Sequence, residues 1–319
     1  MKTCWTHLVA VALMGGAGAA SAAQIGRLDI AAPGAMTSAC GGVTSGGGAP
    51  GDKNSWIDGQ FSCNAAQTAV ASASVAQSSN YFFNGASYVD ASASGQTVMG
   101  QTKLYAHSRA TANVGSGFGG FAAAVATGGW VDMLTLNPLS AADIGKTASL
   151  TFALDVGGSL SGQGAAHSFN SLARFGLKPY INDASLPPGP ASEFSVQGQG
   201  QIGFPYNQTV NQLTLFTGNI TLGTPFELGV FGRVWAGNAS SGSLYVFSEA
   251  TVDFANTITW AGISSLTLSG RPVAYTLSSA SGIDWIQPFA ATVPEPASWV
   301  LSLCGLLALG ELRRRSVSN

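Results

Sequence analysis

The sequence predicts an all-β protein, an antiparallel β-sandwich or jelly roll, and three observations carry that expectation. No long stretch repeats its apolar residues every 3.6 positions, so no amphipathic helix is expected in the body of the chain. Apolar and polar residues instead alternate with period two in many short runs. The clearest is Thr102–Val114, with Leu104, Ala106 and Ala110 on one face and Tyr105, His107 and Arg109 on the other, as a strand with one buried and one wetted face requires. Finally, 42 Gly and 13 Pro punctuate 319 residues of which only 9% are charged. That composition suits thin sheets joined by tight turns.

Taken in order, residues 24–66 read as irregular, with turn signals at Ala49-Pro50-Gly51 and Asp58-Gly59. Strands are expected over Gln67–Val75 and Ser87–Ser94, with Asn84-Gly85 turning between them. After Thr102–Val114, the runs Phe121–Thr127 and Trp130–Leu136 flank Gly128-Gly129, which reads as a tight hairpin. Pro138–Gly145 can hold one helical turn with Ser140 as its cap. Ala148–Val156 is a strand closed by Gly157-Gly158, and a polar, Gly-rich connection follows from Ser159 to His167. The Pro-rich loop Leu186–Pro190 is the one internal boundary candidate. Phe194–Ile202 alternates again and sets Gln197, Gln199 and Gln201 on one face. Gln212–Leu222, Phe226–Trp235 and Leu244–Trp260 follow. The last is too long for one ordinary strand, so a bulge should break it. Ile263–Leu268, Val273–Leu277 and Ile283–Ile286 are short closing strands.

Both ends of the chain read as addresses. Lys2, the apolar stretch Leu8–Ala20 and Ala20-Ser21-Ala22 have the order of a secretory signal peptide, with cleavage expected near Ala22. The exported β-rich body then spans residues 23–292 and the tail residues 293–319. The tail begins with Pro294-Glu295-Pro296, continues in an apolar run and ends in Arg313-Arg314-Arg315. The two prolines hold an extended step, so a helix can start only after Pro296. The arginines prefer the cytoplasmic side of a membrane, which leaves the upstream chain outside. A transmembrane helix over residues 297–312 would be about 24 Å long against a hydrocarbon core of about 30 Å. That short span, with Glu311 near its end, suits a transient anchor.

Val293 through Trp299, the apolar run and Arg313–Arg315 together resemble the PEP-CTERM sorting signal of Gram-negative envelope proteins. The resemblance covers roughly the last 27 residues. It implies recognition by exosortase, a membrane protease-transpeptidase, after passage through the general secretion machinery and residence in the inner membrane. Its members tend to come from bacteria that make extracellular polysaccharide. Glu249–Thr257 with Ser281-Gly282-Ile283 loosely resembles a stretch found before that tail in β-rich members.

Cys4 lies in the signal peptide and Cys304 in the apolar run, which leaves Cys40 and Cys63. In an oxidising compartment they should form a disulfide around a loop rich in glycine. The body is mildly acidic once Lys2, the terminal arginines, Glu295 and Glu311 are set aside. It carries no basic stripe, so nucleic acid is not an expected partner.

Catalytic chemistry has little foothold in the sequence. His107 and His167 stand apart from other ligating residues, and no nucleophile-elbow motif occurs. Gly115–Gly120 matches a dinucleotide string, but a strand rather than a helix follows. The acids suggest no facing pair of the kind glycoside hydrolysis needs. Asp52 and Asp58 could help hold calcium, though without a calcium-loop motif, and no metal or cofactor is expected. Gln197, Gln199 and Gln201, with Trp130, Trp235 and Trp260, form a speculative glycan face. They fit better a solvent-facing Gln row and Trp packed between sheets. The expectation is an exported structural, adhesive or polysaccharide-associated protein of the cell envelope or matrix, not an enzyme. The alternative is a secreted polymer hydrolase with unidentified catalytic residues.

Overall fold

The structure, a computed structural model, describes residues 35–48, 56–66, 73–83, 87–112, 119–165, 171–182, 184–185, 194–200, 205–240 and 246–289. Residues 1–288 form one compact unit and residues 289–319 another. The signal peptide, the Pro-Glu-Pro step, the apolar run and the Arg cluster all lie outside the described residues.

In chain order the strands are β1 (Met36–Gly48), β2 (Trp56–Ala66), β3 (Ala73–Phe83), β4 (Ser87–Val98), β5 (Gln101–Ala112) and β6 (Gly119–Pro138). They continue as β7 (Thr147–Ala165), β8 (Ser171–Ile181), β9 (Ala184–Ser185), β10 (Phe194–Gly200), β11 (Tyr206–Thr221) and β12 (Phe226–Ser240). The last are β13 (Val246–Leu268), β14 (Arg271–Pro272) and β15 (Tyr275–Ser279). They build two antiparallel sheets. The first runs β10-β8-β12-β6-β1-β2, with β15 on β6 and β9 on β8. The second runs β11-β7-β13-β5-β4-β3, with β14 on β13. The two pack face to face as a sandwich. No described helix is long and apolar enough to cross a membrane.

The alternation read in the sequence decides which face is inside. On β5, Leu104, Ala106 and Ala110 are buried; on β8, Ala173, Phe175 and Leu177 are. Phe175 of the first sheet stacks on Phe254 of the second. Glycine lets the sheets approach further. A Cβ on Gly128 would lie 2.5 Å from Thr97 Oγ1 and 2.9 Å from Thr102 Cγ2, and one on Gly232 would lie 2.8 Å from Ile258 Cδ1.

Gly128-Gly129 is therefore not the hairpin the sequence suggests. It lies in the middle of a continuous β6, paired with both β1 and β12, where Gly128 makes room for the opposite sheet. The same correction applies to residues 159–165. They continue β7, with Ser159–Gly162 paired to β11. Residues 36–66, expected to be irregular, contain β1 and β2, and Asp58-Gly59 sits inside β2 opposite Ser45 and Thr44. Glycine and other small residues fill most of β1, from Cys40-Gly41-Gly42 to Gly46-Gly47-Gly48, which kept it from showing an apolar alternation. Cys40 is disulfide-bonded, and Cys63 stands directly across from it in the β1–β2 register.

The expected bulge in the long strand is present. The β13 register shifts between Phe254 and Ile258 against β5, and again near Ile263 against β7. At the second shift Gly262 has φ +97°. A side chain there would meet the Ile286 carbonyl oxygen at 2.9 Å. Ile263–Leu268 is thus the end of β13 and not a separate strand. Its turn into β14 uses Ser269 and Gly270 at φ 51° and 79°, the paired positive values that a tight hairpin requires. The 3-10 turn Ala141–Asp143 falls where a helical turn is expected, but the Ser140 side chain makes no capping hydrogen bond.

Ile283–Ile286 is not a strand. It belongs to a strap held against the end of the sandwich. Asp132, turned inward from β6, accepts hydrogen bonds from the Ser281 amide (3.1 Å), the Ser281 hydroxyl and Trp285 Nε1 (2.7 Å). Trp285 stacks on Trp130 with ring centroids 4.5 Å apart and meets Trp260 edge-on at 5.2 Å. Trp260 Nε1 in turn donates to the Trp285 carbonyl at 2.9 Å. A buried carboxylate persists only when its lone pairs are satisfied. Here the strap supplies those donors. Burial still pushes the Asp132 carboxyl above its ordinary value, with the Ser281 and Trp285 hydrogen bonds opposing the rise.

Candidate binding face

The first sheet turns one face away from the core, and aromatic rings lie on it in an unusual way. A Cβ on Gly229 would fall 2.2–2.3 Å from the Tyr180 ring, and one on Gly129 3.0 Å from the Phe231 ring. On Gly237 it would fall 2.5 Å from Trp235 Cζ2. Each ring thus lies over a glycine with no side chain to lift it. Tyr180 and Phe231 join Met36 and Val131 in a buried apolar cluster. Trp235, farther along β12, is only half-buried.

Trp235 is the ring with charged neighbours. Across the β12–β8 register it faces Arg174, whose guanidinium carbon is 5.7 Å from the indole centroid. That is cation–π distance. Across the β8–β10 register Arg174 faces Gln197, and Leu172 faces Gln199. Alternation along β8 and β12 brings Lys178 and Arg233 onto the same face. Burial, and then the like charge of Arg174, push the Arg233 guanidinium below its ordinary value. Strands β10, β8, β12, β6 and β1 carry only two carboxylates, Asp132 and Glu227. Asp132 points inward to the strap. Glu227 lies six residues from Arg233 along β12, about 20 Å away.

The glycan set read in the sequence is thus divided. Trp130 and Trp260 are core residues, each about fully buried, because their positions point between the sheets. Trp235 shares a face with the register row of Gln197, and Arg174 links the two. Gln201 lies outside the described residues, as do the side chains of Gln197 and Gln199. Arg174 and Arg233 were missed. They are single cations in separate runs, and only the β8–β12 pairing makes them neighbours. The available signal was alternation, which puts Arg174, Gly176 and Lys178 on one side of a strand.

The second sheet's outer face has the opposite character. Its register rows set Asp90, Arg109, Glu249 and Gln163 side by side, then Ser92, His107, Thr251 and Ser161, then Ser94, Tyr105, Asp253 and Ser159. His107 Nδ1 is 3.0 Å from Thr251 Oγ1. Asp90 and Glu249 oxygens lie 3.7 and 3.8 Å from its two ring nitrogens. Gln163 donates to Glu249 at 2.8 Å. Burial, and next the charge of Asp253, raise the Tyr105 hydroxyl above its ordinary value. His107, isolated in sequence, is therefore set between two acids by strand pairing. Among the described residues no group of three or more His, Cys, Asp or Glu is arranged to hold a metal ion. Asp52, the Asp58 side chain and His167 lie outside the described residues.

No family model matches the chain, and no curated protein matches it. Among solved structures, one chain from the IBDV viral particle aligns over 76% of this chain and 80% of its own length. Its identity is 10% and its TM-score 0.11, which is too low to support an argument even about fold.

Proposed function

We propose that this is an exported β-sandwich of the cell envelope or extracellular matrix, held there by association with polysaccharide and not by catalysis. The tail resembling a PEP-CTERM signal would deliver it through exosortase, and a Cys40–Cys63 disulfide would form on export. The observation that carries the binding part is the row Gln197, Arg174, Trp235 across β10, β8 and β12. Indole faces pack against the C–H faces of sugar rings, and amide and guanidinium groups hydrogen-bond their hydroxyls. A half-buried indole on the outward face of a sheet can contact a chain polymer without enclosing it.

The test is retention of the purified full chain on immobilised bacterial extracellular polysaccharides, with Trp235→Ala beside it. Retention of the native chain and loss in the variant is the expected result. A native chain that ignores every polymer would end this reading. A second reading, a polymer hydrolase, draws on His107 between Asp90 and Glu249. It predicts release of reducing ends from a polysaccharide that stops in His107→Ala. The reading is dropped if the purified chain releases none.

A further inference from the structure

We infer that β11 is a self-association surface: two copies of the chain pair their β11 strands antiparallel about a two-fold axis at Thr214, which joins their second sheets edge to edge. β11 (Tyr206–Thr221) ends the second sheet and, among the described residues, pairs with β7 alone. Ten of its sixteen residues are exposed, on both faces of the strand, so the edge stands open to solvent. A strand paired on one side only turns a row of N–H and C=O groups outward.

Natural proteins blunt such edges with charge, proline, a bulge or a short strand. β11 is long and holds no Asp, Glu, Lys, Arg, His or Pro. Its register with β7 runs unbroken from Tyr206 to Thr221, so no bulge twists the edge away. Leu213 and Leu215 stand outward on it, 63% and 50% exposed. Chemistry of this kind is a template for another strand.

The order of side chains selects a second copy as that strand. The outward residues are Asn207, Thr209, Asn211, Leu213, Leu215, Thr217, Asn219 and Thr221. Turned about Thr214, this series matches itself. Leu213 of one copy meets Leu215 of the other, Asn211 meets Thr217, Thr209 meets Asn219, and Asn207 meets Thr221. Apolar thus meets apolar, and each amide meets a hydroxyl with which it can exchange hydrogen bonds. Moving the axis one residue either way sets a leucine against Asn211 or Thr217, so the pattern fixes the register. An unrelated strand would not use this mirrored order.

Size agrees. Residues 207–221 of each copy make a ladder about 50 Å long. Across a sheet about 10 Å thick it buries about 500 Å² per copy, which reaches the lower bound of about 1,000 Å² in all for a specific interface. The two-fold ladder uses up the edge, so assembly closes at two copies. An interface of that size should form at roughly 10–100 µM and part at roughly 1 µM.

The test is sedimentation equilibrium of the purified full chain, in a mild detergent that masks the apolar run at residues 297–312. The expected result is a monomer–dimer equilibrium. Leu215→Lys sets a cation against the partner's leucine patch and should weaken the dimer roughly tenfold or more. Leu139→Lys, at a 69% exposed residue outside β11, should leave it unchanged. Thr214→Cys should give a covalent dimer on mild oxidation, mapped to position 214, because the axis sets that position against itself. Thr209→Cys should not, since its two copies would stand about 33 Å apart along the ladder. Melting temperatures taken at roughly 1 µM, where the chain is monomeric, confirm that each variant folds. A native chain that stays monomeric at roughly 200 µM, a dimer indifferent to Leu215→Lys, growth beyond two copies, or crosslinking through Thr209→Cys as readily as through Thr214→Cys would each overturn the inference.

Discussion

Replacing Trp285 tests whether the strap is structural. The side chain is fully buried, stacked on Trp130 and edge-on to Trp260. Trp285→Ala removes that ring from a packed site, a change that costs about 3–5 kcal/mol. The aromatic pairing is part of that figure and is not added to it. Trp285→Phe keeps most of the buried area but removes the Nε1 donor to Asp132, leaving the acid one partner short. That costs about 1–2 kcal/mol. For a body of this size each kcal/mol lowers the melting temperature by about 2–4 °C. The expected drops are therefore about 6–20 °C for Ala and about 2–8 °C for Phe. Thermal unfolding followed by circular dichroism measures both, with Leu213→Ala as control. Leu213 is 63% exposed and should change stability by no more than about 0.5 kcal/mol. An Ala variant within about 1 kcal/mol of native would show that the strap does not close the sandwich. If Phe were as damaging as Ala, the hydrogen bond and not the ring would be the anchor.

Other consequences can be checked the same way. Burial raises the Asp132 carboxyl in the folded state, so the native state binds its proton more tightly than the unfolded chain does. Its contribution is greatest below the unfolded value and declines as pH rises through the folded one. The stability difference between native and Asp132→Asn should therefore shrink as pH rises, and denaturation midpoints across a pH series would show a growing gap if the sign were reversed. Gly128→Ala forces a Cβ against the stiff side chains of Thr97 and Thr102 and should cost about 1–3 kcal/mol. A neutral result would revive the hairpin expected from the sequence. Cys40→Ser should cost about 3 kcal/mol, and peptide mapping without reductant should recover Cys40 joined to Cys63. A peptide joining Cys40 to Cys4 or Cys304 would contradict the pairing.

What was legible in the sequence is what repeats locally. The alternation read from Thr102 onward became β5 with Leu104, Ala106 and Ala110 buried, and the excess length of the run ending at Trp260 became a bulged β13. Glycine was the main source of error. Gly128-Gly129 resembles a turn because glycine permits turns, yet it also permits close approach of two backbones, and one sequence cannot distinguish these uses. The strap failed for another reason. Its anchor is one carboxylate, Asp132, separated from Trp285 by most of two sheets of chain. Arg174 and Trp235 became neighbours through long-range strand pairing of the same kind.

The two uses of glycine predict opposite phenotypes, and Gly237 separates them. Gly128 faces the other sheet, where its neighbours are short, branched and confined. Gly237 faces outward under Trp235, and the atoms a Cβ would meet are the far end of the indole, Cζ2 at 2.5 Å and Cη2 at 2.6 Å. A half-buried ring can tilt away where a core threonine cannot. Gly237→Ala should therefore cost little stability, within about 1 kcal/mol, while lifting the indole off its bed and away from Arg174. Polymer retention should fall toward that of Trp235→Ala with the melting temperature nearly unchanged. If stability fell as far as in Gly128→Ala while retention held, the outer glycines would serve packing alone. The flat placement of Trp235 would then have no part in binding.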